Sequence, residues 1–263
     1  MGKNLVIVPM VTPLQPSGDV CEQSVQQLIA YTRGAVDAYL PCLTSGEGWL
    51  LSEPQWVSMV ACAVAEAQGK PVIAGIERSS TDEVLRYARK AQSLGATGVM
   101  LTSPFGPDVD QASIVAHYRR VHDACDLDIY IYNESSLSGN EISFESLLEI
   151  AILPRVVGIK DSAEGEREAH QIRALQDQGL VYLIGWEHLL ARGIPADGNV
   201  VSLSNLSPTL CRLACRTDAE PVQAEIARLC EHHGLAAPDW YRHVKHALKQ
   251  WGVILTERTV EAS

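Results

Sequence analysis

The segment Val156-Val-Gly-Ile-Lys-Asp-Ser162 sets a lysine at the end of a run of apolar and glycine residues. An ammonium in such a place is partly stripped of water, which disfavours its charged form and leaves a fraction as free amine. A free amine attacks a ketone carbonyl. The resulting iminium draws electrons from the adjacent carbon, so a C–C bond there can break or form without a metal. That chemistry needs a proton shuttle, and Ile129-Tyr-Ile-Tyr-Asn133 supplies a phenol at Tyr132, with Tyr130 on the same face and further from the strand end. A third stretch, Leu43-Thr-Ser-Gly-Glu-Gly-Trp49, joins the hydroxyls of Thr44 and Ser45 to glycines and a following helix start. Its N–H groups could hold a carboxylate as other helix N-termini hold anions. The competing readings are a Lys160–Asp161 salt bridge, a rim tyrosine and an ordinary hydroxyl-rich turn. Neighbours in a strand point to opposite faces, which disfavours the first.

Placing these groups together requires a sheet whose strand ends converge. Strand-like runs recur at Leu5–Pro9, Ala35–Cys42, Pro71–Gly75, Gly98–Thr102, Asp128–Tyr132, Val156–Lys160, Val181–Gly185 and Asn199–Leu203. Helix-length amphipathic segments separate them, opened by Ser52-Glu-Pro-Gln, Ser80-Thr-Asp-Glu and Ser143-Phe-Glu-Ser, with another over Ala163–Leu175. Eight such alternations predict an α/β fold, a (β/α)8 TIM barrel over 1–206. Helices at Leu210–Cys215, Pro221–His233 and Tyr241–Trp251 predict a C-terminal helical extension, 207–263, packed on the outside of the barrel. A doubly wound sheet would show a Gly-rich phosphate turn after an early strand, and the first strand here runs into Met10-Val-Thr-Pro instead.

Barrel sites form where strands end. The polar residues at those points are Thr12, Thr44, Ser45, Glu47, Thr102, Ser103, Tyr132, Asn133, Lys160, Asp161, Glu187, His188, Ser202 and Ser204, and Lys160 is the only lysine among them.

Composition narrows the partners. A net charge of −11 without a Lys/Arg run argues against nucleic acid. The longest apolar runs are strand-sized, short of the roughly 20 residues that cross a bilayer, and Leu5-Val-Ile-Val follows Met1-Gly-Lys-Asn without a signal-peptide pattern. No membrane association and a cytoplasmic location are therefore expected. Seven scattered cysteines, none spaced C-x-x-C, predict free thiols rather than disulfides or zinc. His232-His233 and His243-x-x-His246 lack a third ligand, so neither a metal nor a cofactor is expected.

With these residues in hand, the chain resembles the dihydrodipicolinate synthase and N-acetylneuraminate lyase family of pyruvate-dependent class I aldolases over essentially its whole length. The matching segments are Val11-Thr-Pro-Leu-Gln-Pro-Ser-Gly-Asp-Val20, Thr44-Ser-Gly-Glu47, the run from Pro71 to Phe105, Tyr130-Ile-Tyr-Asn-Glu-Ser-Ser-Leu-Ser-Gly139, Val156–Ser162 and Val244-Lys-His-Ala-Leu-Lys-Gln-Trp-Gly-Val253. The resemblance implies a barrel with C-terminal helices, assembled as a homo-oligomer (tetramer or dimer). It implies Lys160 as the Schiff-base residue, Tyr132 as acid/base, and Thr44 and Ser45 as the keto-acid carboxylate site. Gly185, Glu187 and Ser202 are implied to face the tail of the second substrate.

Departures from the family pattern refine this. Leu137 stands where the synthases carry an arginine that grips a distal carboxylate, which argues against aspartate semialdehyde. Glu134-Ser135 replace the usual residues after Tyr-Asn, and Phe105 is followed by Gly106 where many members place an aromatic pair that completes a proton relay between subunits. Trp186 and His188 beside Glu187 are unlike a sugar-acid site, so the aldehyde partner is expected to be smaller or more apolar. The function expected first is a Schiff-base lyase or aldolase that cleaves or forms a 2-keto acid, with pyruvate as product or substrate. A 2-keto-3-deoxy sugar acid dehydratase or hydratase-aldolase using the same lysine is the enzymatic alternative. A non-catalytic keto-acid-binding sensor or scaffold is the other.

Overall fold

Alternation along the strands decides which side chains enter the barrel and which face the helices. A computed structural model describes residues 4–163, 165–216 and 218–260. Met1 to Lys3 of the opening segment, and Glu164 within the expected helix over Ala163–Leu175, lie outside the described residues. The strands are β1 (Leu5–Pro9), β2 (Ala38–Leu40), β3 (Ile73–Ile76), β4 (Gly98–Thr102), β5 (Asp128–Asn133), β6 (Val156–Asp161), β7 (Val181–Ile184) and β8 (Gly198–Asn199). All pairings are parallel, in the order β2-β1-β8-β7-β6-β5-β4-β3, and a Tyr39–Val72 bridge joins β2 to β3 and closes the ring. The helices are α1 (Glu22–Thr32), α2 (Glu53–Glu66), α3 (Thr81–Ser93), α4 (Gln111–Ala124), α5 (Ser135–Ser138), α6 (Phe144–Ala151), α7 (Ala169–Asp177), α8 (Pro208–Ala214), α9 (Glu220–His232) and α10 (Trp240–Gln250). The fold is a (β/α)8 barrel with C-terminal helices.

Leu5, Ile7, Leu40, Ile73, Met100 and Tyr130 belong to the cluster that fills the barrel, whereas Val6, Val8, Val99, Leu101, Ile129 and Ile131 belong to the layer under the helices. A β-bulge opposite Ile129–Tyr130 admits Val157 as an extra residue, after which Gly158 and Lys160 fall in register with Tyr130 and Tyr132. Glycine is needed at 158, because a Cβ there would lie 2.8 Å from the Tyr130 ring.

The expected helix starts hold: Ser52 forms a capping box with Gln55, and Ser80 and Ser143 accept from the N–H groups of Glu83 and Ser146. Three of the boundaries that differ reshape the loops at the barrel mouth or on its flank. β2 is shorter than Ala35–Cys42 and Cys42 turns into the left-handed region (φ 64°). β8 does not reach Leu203, since Ser202–Asn205 coils into a 3-10 turn; Asn205 there donates to Pro9 O and accepts from Val11 N–H. The helix expected from Ala163 starts at Ala169, because the preceding loop brings Arg167 back to Asp161.

Candidate active site

β6 delivers Lys160 into the barrel mouth, where its residue is 6% exposed and Nζ lies 4.0 Å from the centre of the Tyr132 ring. Asp161, one residue on, faces the other way. It accepts from Asn133 Nδ2 at 2.9 Å and Tyr182 OH at 3.0 Å and pairs with Arg167 Nε at 2.5 Å. A Lys160–Asp161 salt bridge is therefore absent. Burial pulls the Lys160 ammonium down to about 8, against the opposing pull of Glu134, Glu77 and Glu187.

Tyr132 shares its face with Tyr130, as the alternation requires, and its hydroxyl lies 3.2 Å from Thr44 Oγ1. Burial first, then the nearby carboxyls of Glu134, Glu77 and Glu187, push its phenol well above the ordinary value. Thr44 and Ser45 occupy a 3-10 turn, Thr44–Gly46, whose leading N–H groups have no acceptor within so short a turn. The turn is held between two left-handed residues, Cys42 and Glu47 at φ 59°. Ser45 Oγ lies 2.8 Å from Ser202 Oγ.

All seven residues expected at the site, Lys160, Tyr132, Thr44, Ser45, Gly185, Glu187 and Ser202, line one cavity of about 430 Å3. Glu187 is fixed by the Leu203 N–H at 3.1 Å, and burial raises its carboxyl. A Cβ at Gly185 would lie 2.9 Å from the Asp161 carbonyl oxygen and 2.0 Å from Ser162 Oγ, so a side chain there would force the β6 end to shift. Several other strand-end residues serve the scaffold: Glu47 pairs with Lys245, Thr12 donates to Gly46 O, Ser103 to Asn140, and Ser204 to Val201 O.

Two parts of the site lie outside the strand ends expected from the sequence. Glu77, directly after β3, is 2% exposed and its Oε1 accepts from Thr44 Oγ1. The strand expected over Pro71–Gly75 ends two residues short of it, whereas β3 runs to Ile76. The segment Leu235–Pro238, between α9 and α10, and Trp240 line the same cavity as Trp49, so the C-terminal extension does more than pack outside. Seven free cysteines and no group of three potential metal ligands occur among the described residues. None of the described helices is long and apolar enough to cross a membrane.

A closed parallel barrel with polar groups gathered at the carboxyl ends of its strands is the architecture of an enzyme. The model of the dihydrodipicolinate synthetase family matches residues 3–260. The chain belongs to that family, and with it to the class I pyruvate-dependent aldolases and lyases. An uncharacterized DapA-like lyase of Halobacterium salinarum is 33% identical over 80% of this chain and 70% of its own. A 4-hydroxy-tetrahydrodipicolinate synthase of Rhodospirillum centenum is 30% identical over 94% of this chain and 87% of its own. Among solved structures, the chloride-inhibited dihydrodipicolinate synthase of Acinetobacter baumannii, complexed with pyruvate, superposes with a TM-score of 0.87 at 25% identity, covering 100% of this chain and 92% of that one.

Proposed function

We propose that this enzyme forms or cleaves a C–C bond of a 2-keto acid through a pyruvate Schiff base on Lys160, with an uncharged aldehyde as the second substrate. The observation that carries the reading is the Lys160 amine, buried and lowered to about 8, against the Tyr132 ring inside the cavity. The free amine attacks the ketone carbon, Tyr132 moves protons to and from the carbinolamine oxygen, and the iminium stabilises the enamine that meets or leaves the aldehyde. The Thr44–Gly46 turn and the Ser45 hydroxyl bind the keto-acid carboxylate.

The aldehyde class follows from the walls. Trp49, Trp186, Trp240 and Leu137 supply apolar surface, and Glu134 and Glu187 supply acceptors. Lys160 is the only cation among the described lining residues, and the Schiff base occupies it. A carboxylate on the aldehyde would face like charges without a partner, whereas a neutral hydroxyl- or ring-bearing aldehyde finds acceptors and stacking surface.

Treating the protein with pyruvate and borohydride is expected to add one pyruvate less one oxygen, mapped to Lys160. An unmodified mass sinks the proposal. Turnover of candidate 2-keto acids coupled to lactate dehydrogenase then sorts the chemistry. Pyruvate plus aldehyde supports this reading; a dehydrated keto acid would make it a dehydratase, and an adduct without any turnover a keto-acid-binding protein.

A further inference from the structure

A carboxyl stands at the far end of the phenol's hydrogen-bond line. Thr44 Oγ1 contacts the Tyr132 hydroxyl at 3.2 Å on one side and Glu77 Oε1 on the other. Glu77 Oε2 is buried and makes no hydrogen bond of good geometry, although the Trp49 N–H lies close enough to favour the charged form slightly. Among the described residues no cation forms an ion pair with Glu77. The adjacent Arg78 guanidinium donates to the carbonyls of Gly48, Glu77 and Leu51 and stacks 4.4 Å from the Tyr87 ring. The groups that sense this carboxyl are Lys160 on β6, Tyr132 on β5, Arg78 beside it, and the buried Cys42 thiol after β2.

A carboxyl in this setting holds its proton. Burial raises Glu77 to about 7, with the Thr44 hydrogen bond, Lys160 and Arg78 pulling the other way. Tyr132 cannot rest as a bare phenolate, because burial and three carboxyls oppose that charge. The loop after β4 offers no second phenol, for it carries Phe105 and then Gly106 at φ 134°, a conformation that L side chains rarely adopt. A phenol that gives up a proton in this corner needs a refill, and Glu77 is the acid joined to it.

We propose that Glu77 is the proton store for the condensation at Lys160, reached from Tyr132 through the Thr44 hydroxyl within a single chain. This rests on the Schiff-base reading above. As the carbinolamine C–O bond breaks, the nitrogen lone pair forms the C=N bond and the Tyr132 proton leaves with the hydroxyl as water. The Thr44 hydroxyl turns from Glu77 to the phenolate and reprotonates it, and Glu77, protonated on Oε1, becomes the donor that replaces the Thr44 proton. The net result is one carboxylate and one iminium cation facing each other, with no redox change. Hydrolysis runs the same transfers backwards. Glu77 touches no reacting atom and acts only through Thr44 and Tyr132.

Glu77→Gln keeps an acceptor for Thr44 and removes the proton. Stopped-flow measurement of imine formation with pyruvate should show a rate lower by roughly 10- to 100-fold, within the span of general acid–base effects. The rate-versus-pH profile should lose the limb that falls as Glu77 ionises near pH 7. The final borohydride adduct at Lys160 should still form in E77Q on long incubation. The wild-type infrared difference spectrum on adding pyruvate should show a protonated-carboxyl band disappearing, and E77Q should lack it. Wild-type rates and an intact limb in E77Q, or no change in that band, overturn the proposal. If E77Q fails to fold, Thr44→Val cuts the line with the carboxyl in place and must lose the same limb; an unchanged profile refutes the relay. Absence of any adduct in the wild type instead removes the Schiff-base reading, and the relay with it.

Discussion

The Lys160 amine and the Tyr132 ring share one buried corner, 4.0 Å from nitrogen to ring centre. A ring face attracts an ammonium, yet burial outweighs that attraction and the three carboxyls together, and the amine falls to about 8. Free amine therefore grows about tenfold per pH unit below that value and levels off above it. The protonated Glu77 store empties in the opposite direction, near 7. The initial rate of imine formation at low pyruvate should be bell-shaped with its maximum between these values, and in E77Q only the rising limb should remain. A wild-type rate indifferent to pH over this range would show that neither group governs the step.

The barrel was legible because the strands are short and apolar and alternate with helix-length segments, among which α2, α3 and α6 open on a serine cap, and Lys160, Tyr132 and Thr44-Ser45 were legible because they follow three such strands. What escaped the sequence depends on contacts that spacing does not encode. Glu77 was lost to one strand boundary, since β3 runs to Ile76 rather than stopping at Gly75. β8 was read too long because Val200, Val201 and Leu203 look like strand, while Asn205 pins the chain to β1 in a tight turn. The Glu47–Lys245 pair spans 198 residues and no local pattern announces it.

Leu137 lines the cavity beside Glu134, so the acceptor side lacks a grip for a carboxylate. Introducing Leu137→Arg together with Glu134→Gln should raise kcat/KM for carboxylate-bearing aldehydes roughly 10- to 100-fold, as a charge-assisted hydrogen bond is worth about 1.5–3 kcal/mol. Leu137→Arg alone should gain less, because Glu134 competes for the guanidinium. Comparing charged and neutral aldehydes on the three proteins checks this. Equal preference in wild type and double variant would mean that another part of the wall selects the aldehyde.

Glu77 also links stability to pH. Its folded value of about 7 lies above the ordinary 4.5, so the folded chain retains a proton that the unfolded chain releases between those values. Its contribution is fully present below the unfolded value and is lost as pH rises to about 7, on the order of 3 kcal/mol. Urea denaturation at acid and mildly alkaline pH should show that decline in the wild type and a shallower one in Glu77→Gln. Identical slopes would mean that Glu77 ionises in the folded chain as freely as in water.

Lys245 of α10 reaches the turn that carries Thr44 and Ser45. Its Nζ donates to Glu47 and, at 2.8 Å, to Arg258 O, while Glu47 Oε2 accepts from the Val260 N–H at 2.6 Å. Both side chains are 0% exposed. The pair anchors a residue held at φ 59°, a conformation that costs energy for anything but glycine. Lys245→Met leaves a buried carboxylate without its cation and should cost about 3–5 kcal/mol of stability. It should also raise the pyruvate KM, because the turn that presents Ser45 loses its anchor. Adding Glu47→Gln removes the stranded charge while keeping an acceptor for Val260, so the double variant should regain more than half of the lost stability in urea titrations. If the single and double variants unfold together, the two side chains are not coupled, and the turn owes its shape to Cys42 and the glycines alone.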